Sequence, residues 1–116
     1  MNEVTEYSQV IEKLLERSRE GKVPWDQGTV GFHANVKSYE FRIFESEDQE
    51  DVTVTLEMLD DRGAEIFKVR LTDDPATLGR HRQSVSALKE IYELARRKAL
   101  NVEEKVSDVS NFLDEM

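Results

Sequence analysis

Arg96, Arg97 and Lys98 stand side by side in a chain of 116 residues whose formal net charge is −9. Three adjacent cations can hold an anion or a phosphate backbone. Their place in the pattern gives them a second role. They close an amphipathic segment, and cations in the last turn of a helix offset its negative dipole end by ~0.3–1 kcal/mol each. Arg80, His81 and Arg82 form a second basic cluster ahead of the same segment. About 20 Å of helix between the two groups keeps them from acting as one patch. Arg96, Arg97 and Lys98 are candidate binding residues whose first role is to finish a helix.

The opposite charge is concentrated as well. The stretch 45–51, ESEDQED, holds five acids and no base. Its candidates are Glu47, Asp48, Glu50 and Asp51. The alternating acids and central glycine of a calcium loop are missing. A solvated hairpin tip whose charges resist edge pairing is the simpler reading. A second is an acidic surface that imitates a nucleic-acid backbone toward a basic partner.

Other chemistry finds little footing. His33 and His81 lack a second histidine at metal-ligand spacing. Asp60–Asp61 and Asp73–Asp74 are adjacent pairs of the kind turns use, and their carboxylates are not set to converge. No serine sits in a G-x-S-x-G elbow. The GTVG at 28–31 leads into a strand, so it is no phosphate loop. Trp25, after Pro24, is expected to plug the end of a small core. The chain has no cysteine, which removes thiolate nucleophiles, disulfides and cysteine-ligated zinc. The expectation is a non-enzyme with no cofactor and no metal. The acidic balance argues against unaided nucleic-acid binding. No apolar run reaches the ~18 residues of a membrane span. The acidic N-terminus is unlike a signal peptide, Asn2 is no myristoylation site and the LDEM ending is no lipidation signal. Together with the lack of cysteine, this gives an expected cytoplasmic location.

The elements that must carry these residues are legible from period. Over 4–20, Val4, Tyr7, Val10, Ile11, Leu14, Leu15 and Ser18 share a helical face, with Gly21 and Pro24 to stop it. Period two takes over in 29–36, 39–45, 52–60 and 64–71, which predicts a four-stranded antiparallel β-meander with one apolar face. Lys37–Ser38 makes a tight turn without glycine; DDRG at 60–63 has Gly63 where a positive φ is needed. Residues 72–83 read as a loop punctuated by Pro75 and Gly79. Helices follow at 84–99 and 102–115, separated at Asn101. Asn101 with Glu104 has the spacing of a capping box.

The tail LKEIYELARRKALNVEEKV and the start LLERSREGKVPW resemble a family of small uncharacterised bacterial α+β proteins. In that family the ending runs Leu-x-x-Leu-Tyr-x-Leu-Ala-Arg-Arg-x-Ala-Leu-Gly-Val. Leu88, Tyr92, Leu94, Ala95, Arg96, Arg97, Ala99, Leu100 and Val102 match it. Ile91 and Asn101 depart from it, Asn101 standing where the family has glycine. The resemblance implies the fold and carries no activity with it.

The reading is a single α+β domain over 1–116: an N-terminal helix, the meander, and two C-terminal helices packed on one sheet face. The expected role is a protein-binding or adaptor module of bacterial or phage origin, its partner another protein or a second copy in a homodimer. The alternative is an acidic, antitoxin-like inhibitor of a basic nucleic-acid-handling protein. Phe44, Leu59 and Ile66 would mark a partner surface if they cluster on the outer sheet face.

Overall fold

The computed structural model describes residues 7–48 and 51–116, with Asp48 described by its backbone alone. Helix α1 spans Ser8–Arg19; the expected start at residue 4 lies outside the described residues. Gly21, with φ 73°, ends it. The Gly21 amide bonds to Ser18 O and the Lys22 amide to Arg17 O, which satisfies carbonyls the helix leaves open.

The sheet has five strands, all antiparallel and in sequence order: β1 (Asp26–Gln27), β2 (Phe32–Val36), β3 (Tyr39–Asp48), β4 (Asp51–Leu59) and β5 (Glu65–Thr72). The meander is as expected, with β1 as an added fifth strand. Residues 28–31, read as the start of a strand, instead form the turn that links β1 to β2. The Gly28 amide bonds to Gly31 O at 3.0 Å. Lys37 turns the β2–β3 corner with φ 59°, and Gly63 turns β4–β5 with φ 82°.

Three further boundaries differ from the sequence reading. The acidic stretch is no long loop, because β3 and β4 pair out to Asp48↔Asp51. Backbone ladder bonds do not depend on side-chain charge, and exposed acids are hydrated there at little cost. The next helix, α2 (Pro75–Ala99), begins well before the expected residue 84. Asp74 caps it, accepting the Thr77 amide at 2.7 Å. Pro75 takes the first helical position, where no amide is needed. The irregularity of the basic segment survives only as a kink at His81 (φ −133°, ψ 36°).

The third correction concerns α3 (Val102–Glu115), which does not pack on the sheet. The inner sheet face is already filled. Phe32, Ala34, Phe41, Ile43, Val54, Leu56, Phe67, Val69 and Leu71 meet Ile11 and Leu14 of α1 and Val85, Leu88, Ile91 and Ala95 of α2. Tyr7 stacks on Phe67 at 4.3 Å, and Tyr92 tilts onto Phe32 at 5.5 Å. Trp25 closes the end of this core as expected, its Nε1 donating to Ser18 Oγ at 3.0 Å. The molecule measures 58 × 36 × 24 Å with a radius of gyration of 15.8 Å. A compact chain of this length would have about 13 Å. The excess reflects a helix that stands off the body.

Candidate functional site

The cations that opened the question are each engaged within the chain. Arg96 makes a two-pronged bond to Glu93 (3.0 and 2.7 Å). Arg97 reaches across the helix break to Glu103 at 2.7–2.8 Å, joining α2 to the first turn of α3. Lys98 Nζ lies 3.4 Å from Gly21 O, at the open end of α1. The three cations serve three different partners. Arg96 holds the Glu93 carboxyl below its ordinary range, and Arg97 does the same to Glu103. Arg80 and Arg82 line a separate hollow of about 390 Å³ at the α2 kink, with Gly79, Gln83 and Ser84.

Glu47 and Asp51 are exposed near the tip of the β3–β4 hairpin; Asp48 is there by its backbone, and Glu50 lies outside the described residues. The described part of the hairpin is a two-stranded ribbon that pairs out to Asp48 and Asp51. Among the described residues no cluster of histidine and carboxylate side chains could hold a metal ion. Among them, too, no helix is long and apolar enough to cross a membrane.

The outer sheet face carries a polar row, His33–Arg42–Glu57–Lys68, one residue from each of β2 to β5. Glu40 binds Arg42 at 3.1 Å and lies 3.3 Å from His33 Nδ1. The Arg42 hydrogen bond outweighs partial burial and lowers the Glu40 pKa. With the β1–β2 turn, His33, Glu40, Arg42 and Glu57 border an open basin of about 810 Å³. The three apolar residues of this face do not cluster. Leu59 is only 6% exposed, Ile66 is 47% exposed, and Phe44 is half-buried. Phe44 pairs with Thr55, which stands four positions before Leu59 on β4. At the rise of an extended strand that separation is about 13 Å. The polar row runs between them.

Two features escaped the sequence reading. Ser86 and Lys89 have a Ser-x-x-Lys spacing on α2, but Lys89 Nζ is engaged by Asp73 Oδ2 at 2.6 Å. The larger one is α3. Val106, Val109, Phe112 and Leu113 are 58–64% exposed and Met116 is 86% exposed. The helical period of this stripe was evident in the sequence; that none of the described residues covers it was not. Asn101 is responsible. It adopts the left-handed conformation (φ 51°, ψ 48°), and its side chain makes no capping bond. Its amide bonds to Lys98 O at 3.2 Å. It therefore ends α2 as a glycine would, and does not form the expected capping box. The chain swings away from the body at this residue, and the Arg97–Glu103 bond spans the turn.

An exposed apolar stripe on a projecting helix can do one thing well, which is to lie against a complementary apolar surface. No family model, curated protein or solved structure matches this chain.

Proposed function

We propose that the protein is a non-enzymatic protein-binding module whose docking element is α3. The observation that carries this is the uncovered stripe Val106, Val109, Phe112, Leu113 and Met116 on a helix held off the body. Monomeric soluble proteins rarely expose contiguous apolar surface of this kind without a partner for it. The engaged cations and the open polar basin offer no nucleophile–base pair, which supports a binding role over a catalytic one. The resemblance to small bacterial α+β proteins and the lack of cysteine favour a bacterial or phage setting and the cytoplasm.

The test is a capture experiment with wild-type protein and with Val109→Asp as baits. Position 109 is exposed, so the substitution leaves the body folded. A partner retained by the wild type and lost with Val109→Asp is expected. An identical set of bound proteins from both baits refutes the reading.

The acidic hairpin tip supports a second reading, an antitoxin-like inhibitor of a basic protein. Glu47 and Asp51 are exposed on a ribbon that carries them clear of the core. Replacing Glu47, Asp48, Glu50 and Asp51 with serine should then abolish inhibition, and unchanged inhibition rules it out.

A further inference from the structure

We infer that the surface α3 docks against is the α3 of a second copy of this chain, in a two-fold helix pair; this rests on the docking role of α3 proposed above. The spacing is the first reason. Val102, Val106, Val109, Leu113 and Met116 recur at intervals of four, three, four and three residues. That is the seam spacing of a helix pair, in which each apolar side chain fits between four of its neighbour's, with Phe112 widening it on one side.

The charge layout is the second. α3 is acidic, but Glu104, Asp108, Asp114 and Glu115 fall on the turns away from the seam. The positions flanking the seam are Glu103, Lys105, Ser110 and Phe112, and Glu103 is already bonded to Arg97 of its own chain. A basic-rimmed groove on another protein would find almost no acid at the contact edge. A second copy meets an identical apolar stripe with near-neutral borders, and the acids of both chains remain in water. The geometry permits the approach, because Val106, Val109, Leu113 and Met116 are all exposed.

The expected strength follows from the size. A helix of 14 residues spans about 21 Å. Two of them bury less than a standard interface, which covers about 1200 Å² at its lower end. The association is therefore expected to need high chain concentration to show itself. Salt separates the two kinds of partner. Two chains of charge −9 repel, so raising ionic strength should tighten self-association, whereas it would loosen a contact with a basic protein.

Sedimentation velocity from about 5 to about 500 µM chain tests this. Wild type should move from 13.5 kDa toward twice that mass. It should move further at about 0.5 M salt than at about 0.05 M. Val109→Asp should weaken dimerisation at least ~30-fold, the loss typical of a central buried contact, and Glu104→Lys on the far side should not weaken it. The chain has no cysteine, which allows a second readout. Residue 109 sits midway along the seam and meets its own copy in either helix orientation, so Val109→Cys should oxidise to a disulfide-linked dimer much faster than Glu104→Cys. A wild type monomeric at about 500 µM, a dimer that survives Val109→Asp, or equal cross-linking of the two cysteine variants each overturns the inference. If the wild type is monomeric but loses a heterologous partner on Val109→Asp, the docking role stands and the second-copy inference alone fails. If neither association depends on residue 109, both fail.

Discussion

Replacing Gly31 with alanine should be far more damaging than replacing Gly63, although both glycines have a left-handed backbone (φ 70° and 82°). Each substitution costs the left-handed penalty of an L-residue, ~1–2 kcal/mol, part of which is recovered because alanine also restricts the unfolded chain. Around Gly63 nothing lies within 4 Å of an added Cβ. Its loss should therefore stay near ~1 kcal/mol. At Gly31 the same carbon would lie 2.3 Å from the Ile43 carbonyl oxygen, 2.6 Å from Phe44 Cβ and 2.9 Å from Phe44 Cα. Two of those atoms are backbone of a central strand and cannot rotate aside. Forcing β3 away adds ~1–3 kcal/mol of overpacking, for a total near ~3 kcal/mol. At ~2.1 cal/mol/K per residue, a chain of this length loses about 4 °C per kcal/mol. Gly63→Ala should lower Tm by about 4 °C and Gly31→Ala by about 12 °C. Urea titrations followed by far-UV circular dichroism should show the same gap in midpoint at constant slope. If the two variants lie within about 1 kcal/mol of each other, β2 does not approach β3 as closely as described. The outer-face basin would then lose the geometry of its turn as well.

Three further outcomes are expected. Asn101→Gly should keep or slightly raise Tm, because glycine meets the left-handed backbone without strain, while Asn101→Ala should lose ~1 kcal/mol; equal melting of the two would show that the break does not depend on that conformation. Ser18→Ala strands the buried Trp25 Nε1 donor at a cost of ~1–3 kcal/mol, visible in Tm and in the Trp25 fluorescence of this single-tryptophan chain; an unchanged melt contradicts the bond. Asp73 is held below its ordinary range by the Lys89 hydrogen bond and then by the Val52 amide, Glu90 by Arg19, and Glu40 by Arg42. Carboxyls depressed in the folded state stabilise it above their unfolded values of ~4 and lose that contribution as pH falls through the folded ones. Tm should therefore be level from about pH 5 to 7 and fall below about pH 4, less steeply in Asp73→Asn and at high salt; a variant with the wild-type acid slope would sink the assignment.

The regions that the sequence disclosed are those where local pattern and tertiary packing agree. The alternation Phe41–Ile43 and Val54–Leu56 is repeated in the buried ladder, and Val85, Leu88, Ile91 and Ala95 share one face because α2 lies across that ladder. The misreadings have local causes. Taken alone Pro75 is a breaker, yet after Asp74 it occupies the one helical turn where proline costs nothing. Side-chain charge in 45–51 points to a loop, though ladder bonds belong to the backbone. The candidate surface was half legible. The spacing of Val106, Val109 and Leu113 marks an amphipathic helix, but periodicity says only that a face is apolar, and not whether this chain covers it. That depends on a single dihedral at Asn101, for which sequence offered two readings, a side-chain cap or a glycine substitute.

That dihedral also bears on why the conspicuous charges are poor candidates for the site. A cation that grips a ligand must give up its present partner. Arg96 would have to release a bidentate carboxylate on its own helix. Arg97 would have to release the bond that sets the direction of α3, and Lys98 its contact with the end of α1. Exposed pairs of this kind are individually weak, so energy alone does not forbid the exchange. Releasing Arg97 would also free a bond across the α2–α3 junction, which Arg96 and Lys98 do not span. The apolar stripe has no such conflict. No bond among the described residues has to be broken for Val109 and its neighbours to be covered, and the junction that Arg97 spans is where α3 leaves the body. The run from Arg96 to Asn101 therefore bears on binding through the direction it imposes on α3, and its charge need not touch a ligand.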